Sequence, residues 1–74
     1  MQIEQQASIA VMKQLRDHWN VCDGVDYHIR FKAYYELVEK GTNKIIFSHK
    51  SSTPVARKFV ELEGAAETLA KLEN

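Results

Sequence analysis

Asp26-Tyr27-His28-Ile29-Arg30-Phe31-Lys32-Ala33-Tyr34-Tyr35-Glu36-Leu37 is the stretch that decides the fold. Tyr27, Ile29, Phe31, Ala33, Tyr35 and Leu37 alternate with Asp26, His28, Arg30, Lys32, Tyr34 and Glu36. Period two is the pattern of a strand with one buried face, and it predicts one strand over 26–37. Ile45 and Phe47 repeat the spacing and predict a second strand over 43–50. Glu39-Lys40-Gly41 lies between them. A three-residue hairpin loop needs positive φ at its last position, which suits Gly41. That loop sets Val38 opposite Thr42, Glu36 opposite Lys44, Tyr35 opposite Ile45 and Ala33 opposite Phe47. A slip of one residue would turn Ile45 and Phe47 into water, so this register is the expected one. Glu36 with Lys44 would also make an opposite-charge pair across the strands.

Upstream, Ile3, Ala7, Ala10, Val11, Met12, Leu15 and Trp19 share a helical face, predicting a helix over 2–19. Trp19 is expected to cap the core against the hairpin. Asp23-Gly24 marks the turn that follows. Downstream, Ser51-Ser52-Thr53-Pro54 has the hydroxyl cap and early proline of a helix start. Val55, Phe59, Leu62, Ala66, Leu69 and Ala70 form a stripe, predicting one helix over 53–72. Gly64 in its middle costs about 1 kcal/mol relative to alanine. The alternative makes Val55–Leu62 a third strand, followed by a short helix over Gly64–Leu72.

The reading is therefore a small α+β fold spanning 1–74 as a single domain. Its order is α-β-β-α, with a long antiparallel hairpin and helices on one face; the alternative order is α-β-β-β-α. A lone two-stranded sheet is marginal in water, so a homodimer is expected.

With 74 residues, 45% apolar and 27% charged, the composition is that of an ordinary small globular domain. Cys22 is the only cysteine, so no disulfide can form within the chain. One free thiol fits a reducing, cytoplasmic setting. No apolar run is long enough to span a bilayer, and Met1-Gln2-Ile3-Glu4-Gln5-Gln6 lacks the basic start and apolar core of a signal peptide. No membrane association is expected.

The net charge of zero hides an uneven distribution. Residues 1–26 carry −2, residues 27–59 carry +5 and residues 60–74 carry −3. In the expected register much of the positive charge falls on the open face of the hairpin. That face shows His28, Arg30, Lys32 and Tyr34 on one strand and Lys44, Ile46, Ser48 and Lys50 on the other. It is the candidate binding face. Ile46 and Tyr34 among polar groups could anchor a protein partner. Basic groups interleaved with an aromatic ring also suit single-stranded nucleic acid. The first reading is a non-enzymatic binding or adaptor protein, such as a regulator or inhibitor of a larger assembly; nucleic-acid binding is the alternative. Small size and lack of motifs fit a phage or mobile-element accessory protein.

Residues 45–59 run from a strand through a polar turn into a helix with Ala56 and Phe59 three apart. This joint is similar to the strand-to-helix joint in arm-binding domains of phage-type integrases and in double-stranded-RNA-binding domains. Both families use three strands, against the two read here.

Nothing points to catalysis, a cofactor or a metal. His18 and Cys22 are four apart with Asp23 beside them, but a zinc site needs three or four ligands, and no second cluster accompanies them. A Cys22–His18 pair has no orienting acid at a defined position. The glycines at 24, 41 and 64 are isolated, so no phosphate-binding loop is present.

Overall fold

The computed structural model describes residues 2–73. In it the strand read over 26–37 is folded back on itself. Helix α1 (Ile3–Asp17) is followed by strands β1 (Cys22–Asp23), β2 (Tyr27–Phe31), β3 (Tyr35–Glu39) and β4 (Lys44–His49). Helices α2 (Ser52–Glu63) and α3 (Ala65–Leu72) complete the chain. The strands form one antiparallel sheet in the order β1-β2-β3-β4. The fold is α+β, with four strands and three helices among the described residues.

The reason lies in parity. Lys32, Ala33 and Tyr34 form the β2–β3 turn, where the Lys32 N–H donates to the Tyr34 carbonyl at 3.0 Å. Phe31 pairs with Tyr35 and Ile29 with Leu37. A turn with an odd number of residues keeps odd-numbered residues on one face of both strands. One long strand and a folded pair therefore carry the same alternation.

The next connection corrects the expected register. Glu39 pairs with Lys44 and Val38 with Ile45, then Leu37 with Phe47, Glu36 with Ser48 and Tyr35 with His49. The loop is residues 40–43, and its left-handed residue is Asn43 (φ 60°), not Gly41. Asparagine tolerates this conformation better than most residues. An even-numbered loop would turn Phe47 to the wrong side. A β-bulge that leaves Ile46 as the extra residue restores the parity. Phe47 then faces the helices beside Leu37, while Ile45 goes to the other face with Val38.

The helices cover one face only. Ala7, Val11 and Leu15 of α1 join Val55, Ala56, Phe59 and Val60 of α2 and Cys22, Ile29 and Leu37 of the sheet in one buried cluster. Burying each large aliphatic side chain contributes about 1.5–3 kcal/mol. Tyr27, Tyr35, Phe47, Leu69 and Leu72 pack around this cluster. The Thr53 hydroxyl donates to the Met12 sulfur at 3.3 Å, tying α2 to α1.

The single helix read over 53–72 is broken at Gly64, whose φ of 98° favours glycine. The Gly64 N–H closes α2 on the Val60 carbonyl at 2.8 Å. Its carbonyl opens α3 by accepting from the Thr68 N–H at 3.0 Å and the Thr68 hydroxyl at 2.7 Å. The break re-aims the apolar stripe. Leu62, Ala66 and Ala70 are exposed, and Ala65, Leu69 and Leu72 meet the core instead. Val55–Leu62 is helical, so the alternative third strand is not formed there. Four strands also remove the argument for a dimer that rested on a two-stranded sheet. Among the described residues no helix is long and apolar enough to cross a membrane.

Candidate interaction surface

The face of the sheet turned away from the helices carries His28 and Arg30 on β2, Glu36 and Val38 on β3, and Ile45, Ile46 and Ser48 on β4. Its chemistry is less basic than the sequence suggests. The Arg30 Nε donates to the Glu36 carboxylate at 2.8 Å across the β2–β3 pair. The fold-back that made β2 and β3 neighbours thus pairs one of the basic residues of the expected binding face. The expected Glu36–Lys44 pair is absent, because Lys44 lies opposite Glu39. Lys40 and Lys58 are also paired, with Asp23 at 2.7 Å and Glu61 at 3.3 Å. Lys32, Lys44, Lys50 and Arg57 take part in no ion pair among the described residues.

The expected binding residues divide into three places. His28, Arg30 and Ile46 share the outer face of the sheet. Lys32 and Tyr34 sit in the β2–β3 turn, and Lys50 follows His49, the partner of Tyr35, at the same end of the sheet. Lys44 is at the opposite end, beside the β3–β4 loop.

Apolar exposure marks this side of the molecule more clearly than charge. Tyr34 is 43% exposed, Ile45 45% and Ile46 39%. Val38, by contrast, is completely buried yet outside the main cluster, between its cross-strand partners His28 and Ile45. At the turn end, Phe31 is half exposed and its ring lies 4.8 Å from that of Tyr35.

Trp19 lies at this same end and is 93% exposed, so it does not cap the core. Both Trp19 and Asn20 are left-handed, with φ of 58° and 61°. A bulky side chain there costs roughly 1–2 kcal/mol. The turn is fixed from both sides. The Asn20 N–H donates to the Leu15 carbonyl at 2.7 Å, and the Tyr35 hydroxyl donates to Asn20 Oδ1 at 3.0 Å. The helical stripe extends through Trp19, which is why it read as core. The left-handed turn ends that periodicity before its side chain can reach the interior.

Opposite this side, α2 anchors the sheet's loops. The Glu63 carboxylate accepts from the N–H groups of Val25, Asp26 and Tyr27 at 2.8, 2.8 and 2.9 Å. Three convergent backbone donors form a nest for an anion, and here Glu63 fills it. Gly24 is buried, and a Cβ there would press on Glu63 and Phe59 at 2.7–2.8 Å. Lys40 completes the anchor, donating to the Gly24 carbonyl at 2.6 Å and to the Asp23 carboxylate at 2.7 Å, which holds that carboxyl below its usual range.

The residues weighed for metal or catalysis are dispersed. Cys22 lies in the core, and burial pushes its thiol up to about 11. His18 is exposed, and Asp23 is engaged by Lys40. No group of three His, Cys, Asp or Glu is placed to hold a metal among the described residues. Two open furrows run between the helices. One of about 730 Å³ lies between α1 and α3 against Ile9, Ala10, Leu69 and Leu72. The other, of about 690 Å³, lies where α1 meets α2 and the Gly64 joint. Lys13, Asp17, His18 and Glu73 along the first are all exposed.

Compared with protein-family models, curated proteins and solved structures, the chain matches none.

Proposed function

We propose that this chain is a non-enzymatic binding protein that docks a protein partner on the outer side of its sheet. The observation that carries this reading is the exposed pair Ile45 and Ile46 on that face, with Trp19, 93% exposed in a strained left-handed turn, at the β2–β3 turn end of the sheet. Tyr34 lies at the same end, while Ile45 and Ile46 are exposed further along β4, towards the β3–β4 loop. Aromatic anchors with aliphatic neighbours are what protein interfaces use at their centres. The Arg30–Glu36 pair weighs against the nucleic-acid alternative, since it takes the central arginine of the basic set.

The test is affinity capture with the full chain, followed by titration of the retained, purified protein against wild type and a Trp19→Ala/Ile46→Asp variant. Saturable binding to wild type, weakened at least about tenfold in a variant that still folds, supports the reading. Equal binding by both overturns the assignment of the surface. A mobility shift of single-stranded nucleic acid that weakens steeply with salt, and is lost in Lys32→Glu/Lys50→Glu, would favour nucleic acid instead.

A further inference from the structure

We infer that the partner docks by laying an extended, acidic segment along β4, adding a strand to the sheet. The inference rests on the protein-docking reading above and names the chemistry of the partner.

The sheet has two edges of unequal length. β1 at one edge has two residues, while β4 at the other has six. An edge strand presents a row of unpaired N–H and C=O groups that can template another strand. Beyond its ladder with β3, the backbone of residues 45–48 makes no hydrogen bond among the described residues. Five of the six β4 residues are exposed, and Phe47 is partly buried.

The charges on this edge select what can pair with it. From Lys44 to Lys50 the sequence is Lys-Ile-Ile-Phe-Ser-His-Lys, with no acidic residue. Neither lysine has a carboxylate partner among the described residues. A second copy on this edge would bring another Lys-Ile-Ile-Phe-Ser-His-Lys segment, which has no carboxylate to meet either lysine. Two positively charged segments side by side oppose self-association. An acidic segment meets the opposite sign at both ends. Because Ile46 is the extra residue of a bulge, five ladder steps, about 17 Å, separate the lysines and set them on opposite faces, so carboxylates five residues apart match them. Ile45 and Ile46 offer apolar contacts for the residues between.

The experiment uses the full chain and a capped, fluorescein-labelled peptide, Glu-Val-Thr-Val-Thr-Glu. One control replaces both glutamates with lysine. Another keeps the side chains but N-methylates alternate backbone nitrogens, in both phases. Affinity is read by anisotropy, and contact by amide exchange. The glutamate peptide is expected to bind about tenfold tighter than the lysine peptide, the preference reversing in Lys44→Glu/Lys50→Glu. At least one N-methylated phase should abolish binding, and the amides of residues 45–48 should gain protection.

Absence of binding at millimolar peptide, equal affinity for the lysine peptide, or indifference to N-methylation overturns the inference. So does protection centred on the helices. Sedimentation showing a dimer that the peptide cannot compete would assign the edge to a second copy. An oligonucleotide that displaces the peptide and protects the same amides more strongly would assign it to nucleic acid. If the peptide fails while a captured partner still depends on Trp19 and Ile46, docking stands and strand addition alone falls.

Discussion

On the helix side of the sheet, Ile29 and Leu37 are fully buried, with Phe47 and Tyr35 packed beside them. On the other side, the Arg30–Glu36 pair, a buried Val38 and two exposed isoleucines share the surface. Both faces belong to the same three strands, and they differ in what covers them. The helix side is closed by α1 and α2, which leave its central side chains without solvent contact. The outer side keeps apolar groups at the surface where solubility alone would favour polar ones. One face is buried throughout its centre; the other buries Val38 and leaves its isoleucines exposed.

The largest expected effect sharpens that contrast. Leu37→Ala should lower stability by about 3 kcal/mol through lost transfer energy and a cavity. Ile45→Ser on the outer face should change it by less than about 0.5 kcal/mol. Urea denaturation of the two variants checks both, and similar losses would break the comparison.

Next comes the anchor beneath the helix side. Glu63→Ala frees three backbone N–H groups and should cost about 2 kcal/mol, because charge-assisted bonds exceed neutral ones. The same titration reads it, together with faster exchange at the amides of Val25, Asp26 and Tyr27. Smaller again is the joint of the helices. Gly64→Ala forces a side chain into positive φ against Glu67, at a cost of about 1–2 kcal/mol. Gly41→Ala meets open space at ordinary φ and should leave the melting temperature unchanged or slightly raised.

Cys22 adds a pH dependence specific to the helix side. Burial raises its thiol from the ordinary 9.0 to about 11, so the folded chain holds the proton longer than the unfolded one. Its contribution is complete below pH 9 and is lost as pH rises towards 11. Denaturation midpoints across that range should fall less in Cys22→Ala than in wild type. A thiol reagent at neutral pH should label wild type only on unfolding.

The smallest stability effect belongs to the exposed turn at the β2–β3 end of the sheet. Trp19→Gly relieves left-handed strain and removes little burial, so the melting temperature should stay constant or rise. A clear loss would mean that the tryptophan serves the fold.

How much of this was legible in the sequence follows from parity and caps. The α+β class, the first helix and the helix start near Ser51 come directly from periodicity and capping chemistry. The fold-back at 32–34 leaves no trace in the alternation, because an odd turn preserves it. The bulge at Ile46 is a compensation for an even loop, visible only once both strands are paired. In the sequence Gly64 is only a cost within a helix; its role as a joint depends on Thr68 and Val60 bonding it from both sides. The candidate face was legible as a set of residues, not as chemistry. Arg30 lost its free charge to Glu36, six residues away, only because the chain turns between them. Trp19 sat on the apolar stripe until a left-handed turn carried it out.

The most direct test of the outer side as a docking surface is hydrogen exchange of the chain with its captured partner bound. New protection should fall on β4 and the β2–β3 turn, leaving the α1–α3 furrow as it is in the free chain. Protection along Ile9, Leu69 and Leu72 with β4 unchanged would contradict the account.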